Sequence, residues 1–314
     1  MNWEKHGLIL QPSANENWYS GGFSGSHAVL KDGKAEFYLT GRDSENRSRI
    51  GVCSFDMEQM QVTDISNEPI LDLGERGTFD FNGTGYPFFL STESIDYLYY
   101  TGWTKGVHVD FINDLGLAIR SKETNAFMRV SRASIFPRTN EEPFGTGSVS
   151  VLRESDGYKM WYTSFKRWEN QGQGLRHYYH ICYAHSDDGV QWHRPGKVCI
   201  SLAENEGEYV AAKPFVLRYK GLYLMWYAFR GQTYKMGFAV SNNGYDWVRH
   251  DNTILSLKAS DTGWDSEMVC YASVLVYNGQ LYMFYNGNGY GKSGLGLATL
   301  SLETLDETLT QLGY

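Results

Sequence analysis

Three acidic residues of this chain, Asp80, Glu208 and Glu267, stand a few positions ahead of short apolar runs, where a carboxyl group can give or take a proton as a general acid or base. Glu142 and Asp265 sit in comparable places and suit the binding of hydroxyl groups. A second set is basic: His27, Arg42, Lys213 and Arg230 would hold phosphate or another anionic group. Tyr86, Trp103 and Tyr271 offer flat apolar faces, and Asp43 and Asn286 complete the polar set. Carboxylates, cations and aromatic faces brought to one place would suit a sugar, which needs a surface to stack on and partners for its hydroxyls. Each residue also has a plainer reading. Arg42 and Asp43 can brace their own loop, His27 can be a satisfied core imidazole, Trp103 can be packing, and Lys105, Lys166 and Glu141 can be solvated surface groups.

These residues matter only if the chain brings them together, and a repeat supplies the means. An aromatic-Tyr step followed by a small or polar turn recurs five times, at Phe37-Tyr38, Tyr99-Tyr100, Trp161-Tyr162, Trp226-Tyr227 and Phe284-Tyr285. The second tyrosines are spaced by 62, 62, 65 and 58 residues. Each unit opens on an apolar run (Ala28–Leu30, Pro87–Leu90, Val149–Leu152, Pro214–Leu217, Ala272–Leu275) and turns through a short hairpin such as Lys31-Asp-Gly-Lys34. The aromatic-Tyr strand follows, and then a third strand with a small residue facing the packing (Gly51, Gly116, Cys182, Gly237, Gly296). Ser186-Asp-Asp-Gly189 and Ser241-Asn-Asn-Gly244 read as turns with glycine at positive φ, leading to Trp192 and Trp247. A fourth strand is expected to end near Ile70, Ile135, Cys199 and Ile254; the fifth unit lacks one, and Gly7–Leu10 at the chain start is the substitute. The reading is an all-β protein, a five-bladed β-propeller whose N-terminal strand closes the last blade, occupying residues 1–314 as a single domain. Residues just before each first strand and just after each aromatic-Tyr strand then meet at one mouth of the central channel, with the loop acids above it.

Composition removes several alternatives. With 28 Lys+Arg against 36 Asp+Glu, a net charge of −8 and no basic run, nucleic acid is not an expected partner. The longest apolar stretch, Leu222 to Phe229, is eight residues where a membrane helix needs about 20, so no membrane span is expected. The first residues do not read as a secretion signal, which makes a cytoplasmic location the expectation. Cys53, Cys182, Cys199 and Cys270 lie far apart without zinc spacing and read as free buried thiols, so no metal ligands are assigned. The turn from Gly287 through Gly291-Lys292-Ser293 lacks the spacing and following helix of a nucleotide-phosphate loop.

Through the five aromatic-Tyr strands and the Ser186–Trp192 turn, nearly the whole chain resembles the five-bladed propeller superfamily of arabinanases, β-xylosidases, invertases, levansucrases and β-mannoside phosphorylases. Gly77-Thr-Phe-Asp80 and Gly263-Trp-Asp-Ser-Glu267 also look like poorly characterised propellers of surface-polysaccharide biosynthesis. The resemblance implies an enzyme making or breaking a glycosidic or sugar-phosphate bond, or else a non-catalytic glycan- or nucleotide-sugar-binding propeller. Its partner would be a sugar, an oligosaccharide or an activated sugar. A divalent cation or a phosphate in the channel is what the resemblance allows by way of cofactor. The hydrolases place carboxylates at the first strands of three blades, where this chain has Ser26 or His27, Tyr86 and a residue near Ser148, none of them acidic. Asp80, Glu142, Glu208, Asp265 and Glu267, a few residues upstream of their strands, are therefore the expected substitutes, two of which a bent loop would bring to the channel, because two-carboxylate hydrolysis needs an acid and a base flanking the bond. In the phosphorylase pattern, one carboxylate would act beside a basic cluster that holds phosphate.

Overall fold

The computed structural model describes residues 2–14, 18–124, 126–172 and 174–314. Its strands form successive four-stranded antiparallel meanders, as the repeat requires. The first holds β2 (Gly22–Lys31), β3 (Lys34–Arg42), β4 (Ser48–Asp56) and β5 (Gln61–Ile65), after an initial strand β1 (Glu4–Leu10). The second holds β6 (Gly83–Ser91), β7 (Ile95–Lys105), β8 (Phe111–Ser121) and β9 (Met128–Arg129). In the third come β10 (Thr146–Glu154), β11 (Gly157–Gln171), β12 (Gly174–Ser186) and β13 (Val198–Ile200). The fourth contains β14 (Val210–Tyr219), β15 (Leu222–Arg230), β16 (Tyr234–Ser241) and β17 (Val248–Arg249). Last are β18 (Cys270–Tyr277), β19 (Gln280–Asn286) and β20 (Leu295–Ser301), and β1 pairs antiparallel with β20 from Glu4↔Thr299 to Leu10↔Leu295. The all-β propeller architecture is thus present, its N-terminal strand completes the last sheet, and the meanders are consistent with five blades.

The innermost strands β2, β6, β10, β14 and β18 touch in turn and close on β2 again. Their backbones do not pair with one another, so side chains bridge them. Ser273 Oγ accepts from the Ala28 N–H at 2.8 Å, His27 Nδ1 from Phe89 at 2.8 Å, and Ser150 Oγ from Val216 at 2.9 Å. Each inner strand also carries a β-bulge against its neighbour, at Ser24-Gly25, Tyr86-Pro87, Gly147-Ser148, Lys213-Pro214 and Tyr271-Ala272. Tyr86, Lys213 and Tyr271 adopt φ of 48°, 51° and 61° there, a left-handed conformation that is strained for bulky residues.

The small third-strand residues make room for rings. A Cβ on Gly116 would lie 2.3 Å from the Tyr100 ring, and one on Gly237 would lie 2.4 Å from that of Tyr227. The Ser186–Gly189 and Ser241–Gly244 turns form as expected, with φ of 74° and 73° at their glycines. They bind the preceding blade: Tyr99 donates to the Gly189 carbonyl at 2.6 Å and Trp161 to that of Gly244 at 2.7 Å. The outer strands correct the sequence reading. Cys199 lies in β13, but Ile70, Ile135 and Ile254 fall in connections after strands that end at residues 65, 129 and 249. The residues after β20 form a helix, α1 (Leu302–Gln311), capped by Ser301 and packed through Leu305 and Leu309. No helix among the described residues is long and apolar enough to cross a membrane.

Candidate functional site

The ends of β3, β7 and β15 and the turn after β19 face one end of the ring, and a cavity of about 560 Å³ opens there. Of the residues expected at the mouth, Arg42, Tyr86, Trp103, Arg230 and Tyr271 line it, as does Lys105. The local folding places them. Arg42, Lys105 and Arg230 are the last residues of β3, β7 and β15, while the bulges turn Tyr86 and Tyr271 inward. Trp103 donates to Ser48 Oγ at 2.8 Å, and the Arg42 guanidinium lies 6.0 Å from its ring centre.

Asp110, His177, Tyr179, Tyr234 and Lys292 also line the cavity and are not assigned to the site from sequence, although the Lys292 turn is read there and set aside as a phosphate loop. Lys292 comes from the glycine-rich turn after β19, where Gly289 and Tyr290 both have positive φ. It lies six residues beyond the end of β19, whereas Arg42, Lys105 and Arg230 close their own second strands, so the strand register does not reach it. His177 sits on β12 inside a long hairpin that the 65-residue spacing only hinted at.

The cavity therefore carries four cations, Arg42, Lys105, Arg230 and Lys292, against a single carboxylate, Asp110. None of the four has an ion-pair partner among the described residues. Arg42 bonds to Ser24 Oγ at 3.3 Å and to Asn46, while Arg230 reaches the Gln232 carbonyl at 3.4 Å and stands among Tyr209, Tyr234 and Tyr290. Beneath the floor, Lys213 is buried and its Nζ donates to the Ser26 carbonyl across the channel at 3.3 Å. Burial brings its ammonium down to about 8. His27 is buried, accepts a backbone hydrogen bond and stacks on Phe88 at 4.0 Å; burial first, and then the Lys213 charge, hold its imidazole well below the usual range.

The expected acids are elsewhere, and this corrects their placement over the channel. Asp80, Glu142, Glu208, Asp265 and Glu267 do not line the cavity. Asp80 accepts from the Tyr100 hydroxyl at 3.0 Å and pairs with Arg129 at 2.7 Å. Glu142 does the same with Tyr162 and Arg194, at 2.9 Å each, and Asp265 with Tyr285 at 2.9 Å and Lys5 at 2.7 Å. In the fourth meander Tyr227 donates to Asp251 at 2.6 Å, and Arg249 bridges Asp251 to Glu208 at 2.7 and 3.0 Å. The repeated tyrosine is thus braced by an acid–base pair in four of the units. Burial would raise the Asp265 carboxyl, but Lys5 and its other partners hold it below the usual range; Glu208 is raised by burial despite Arg249. Glu267 is exposed, and its backbone N–H donates to Asn288.

Two further residues serve the frame. Asp43 is tied to the Arg47 backbone and to the Arg47 and Arg49 side chains; burial opposes its ionisation, yet these partners hold it low. Asn286 accepts from the Gly25 N–H at 2.9 Å and donates to the Phe23 and Gly294 carbonyls at 3.1 and 2.8 Å, joining the last sheet to the first. A divalent cation does not suit this channel. Its inner strands offer the Lys213 ammonium, and no cluster of three or more His, Cys, Asp or Glu fit to hold a metal occurs among the described residues. The four cysteines are buried and free, with Cys199 pushed up to about 12 by burial. The mouth can bind an anion by charge and stack a ring, and it has one carboxylate to exchange a proton.

Comparison with known proteins agrees on the fold. A solved structure described as a glycoside hydrolase superimposes with a TM-score of 0.76 at 17% identity, covering 94% of this chain and 91% of the other. A member of the GH130 family of mannoside phosphorylases, from work on glycoside hydrolases that target β-1,2 mannosidic linkages in Candida mannan, gives 0.72 at 15% identity over 95% and 93%. No family model matches the sequence. Sequence similarity reaches further in Mycobacterium tuberculosis, where the protein called Uncharacterized protein Rv1502 is 35% identical over 308 residues. Because that match spans 96% of this chain and 99% of the mycobacterial protein, the chain belongs to the same family as Rv1502.

Proposed function

We propose that this protein is carbohydrate-active: it takes an anionic sugar, such as a sugar phosphate or a nucleotide-activated sugar, at the propeller mouth and makes or breaks a glycosidic or sugar-phosphate bond there. The observation that carries this reading is the set of four cations without ion-pair partners around the cavity, in a chain whose net charge is −8. Unpaired cations gathered in a concave, aromatic-lined site favour an anionic ligand. Asp110, the carboxylate at the cavity wall, is the proton-carrying group in this proposal, in place of Asp80, Glu208 and Glu267. A cytoplasmic setting and a place in surface-polysaccharide biosynthesis belong to the same reading, since activated sugars are consumed there.

Calorimetry with inorganic phosphate and with hexose 1-phosphates tests it. The wild type should bind, more weakly as salt rises, and Arg230→Ala should lower affinity by about tenfold, the worth of a charge-assisted hydrogen bond. Absence of binding to every anionic probe would overturn the proposal. A second reading, binding without turnover, is favoured by the lone lining carboxylate, because hydrolysis needs two. Turnover by the wild type that Asp110→Asn abolishes would exclude it.

A further inference from the structure

Charge is distributed unevenly around the mouth. Four of the meanders each supply a cation there: Arg42, Lys105 and Arg230 at the ends of their second strands, and Lys292 in the turn after β19. The third meander differs. Its β11 and β12 are 15 and 13 residues long, where the second and third strands of the others run from 7 to 11. Their ladder continues from Arg167↔Tyr178 to Gln171↔Gly174, beyond the point at Ser164 where β11 stops pairing with β10.

This extension carries an uncharged wall. The rings of His177 and Tyr179 lie parallel, 4.9 Å apart and inclined by 2°, and Phe111 of β8 stands 5.4 Å from His177. Trp168 backs the imidazole at 5.2 Å. Phe111, His177 and Tyr179 line the cavity. Burial, helped by the Arg230 charge and opposed by Asp110, brings His177 down to about 4, so the ring is neutral at physiological pH. Its Nδ1 is buried and has no hydrogen-bond partner among the described residues. A neutral imidazole in an aromatic frame has no charge with which to attract an anion, but through Nε2, the nitrogen that is not sealed off, it can exchange a hydrogen bond with a hydroxyl while the flat rings meet the C–H face of a sugar.

We propose that the β11–β12 wall is the subsite for the uncharged ring of the ligand, with His177 selecting it through a ring hydroxyl, while the cations of the other four meanders hold the anionic end. The inference rests on the anionic-ligand reading above and fixes the direction in which such a ligand lies. It also places the link between the ligand's two ends near Asp110, the lining carboxylate whose charge is felt at His177.

Two probes separate the two ends. Inorganic phosphate carries the anion alone, and hexose 1-phosphates carry the same anion on a neutral ring. The wild type should bind at least one hexose 1-phosphate about tenfold more tightly than phosphate. His177→Ala and, separately, Phe111→Ala should reduce that preference by about fivefold or more and leave phosphate affinity unchanged, which also reports that the variants are folded. His177→Gln keeps a donor and an acceptor and should retain part of the preference. Arg230→Ala should weaken both probes alike. If the wild type binds phosphate but prefers no hexose 1-phosphate, or if His177→Ala weakens both probes equally, the subsite is refuted and the anionic-ligand reading survives. If no probe binds at all, both fail together.

Discussion

Lys213 is a costly residue in the ring. It is fully buried, it has a positive φ before a proline, and its ammonium meets a carbonyl where a carboxylate would be expected. Burial lowers it from 10.5 in the unfolded chain to about 8 in the folded one. Between these values the unfolded chain binds more protons than the native state, so stability rises with pH across that window, and the full penalty applies below pH 8. At about 1.4 kcal/mol per unit the penalty is roughly 3 kcal/mol. Lys213→Met should therefore raise the denaturation midpoint at pH 7, and its advantage over the wild type should shrink between pH 8 and 10.5; an advantage unchanged with pH would refute the account. A residue that lowers stability in this way is retained for another reason, and here it sets a positive charge beneath the floor of a cavity already ringed by cations. Gly25 shows the same crowding. A Cβ there would come 2.5 Å from the Tyr86 ring and 3.5 Å from the Lys213 side chain, at a φ of 65°.

At the scale of the element, the working unit is a tyrosine on the second strand, a small residue opposite it on the third, and an acid–base pair that takes the hydroxyl. The second meander shows all three parts, Tyr100, Gly116 and Asp80 with Arg129. Asp80→Ala leaves the Arg129 charge without its partner and should destabilise by about 3 kcal/mol in urea denaturation. Gly116→Ala pushes a methyl group into the Tyr100 ring and should cost about 2 kcal/mol. Both changes act through Tyr100, so the double variant should fall short of the sum by about 1 kcal/mol. If the two losses simply add, Asp80 and Gly116 do not share that ring. The same brace explains why acids in the expected loops are not at the channel: a buried carboxylate needs a cation and a hydrogen-bond donor, and the nearest of these belong to the frame.

For the whole molecule, the decisive join is the one that ties the chain start and the first sheet to the last sheet. It consists of the β1–β20 ladder, the Lys5–Asp265 pair, the Trp3 ring in the core cluster of the last two sheets, and the Asn286 clamp. Deleting residues 1–10 exposes the β20 edge and releases Asp265 from its cation. The melting temperature should fall by roughly 10 °C or more, with association through the open edge visible in size-exclusion chromatography. A truncated chain that melts and elutes like the intact one would show that the ring does not depend on this join.

The sequence by itself determined the repeat, and with it the propeller fold, the closing strand and the small third-strand residues. Each of these follows from local spacing, because alternation along strands and the turn between them are encoded within one unit of about 60 residues. It also placed Arg42, Lys105, Tyr86, Trp103, Arg230 and Tyr271 at the mouth, since their position in the repeat gives the direction in which they point. The tertiary structure alone decided which charges are free. Asp80, Glu142 and Asp265 look in sequence like any loop carboxylates, and their neutralising partners are 49, 52 and 260 residues away. His177 and Asp110 reach the cavity only because two hairpins from different meanders lean together through Phe111 and Trp168. Strand periodicity fixes where a side chain starts, but pairing between distant segments fixes what it is left free to bind.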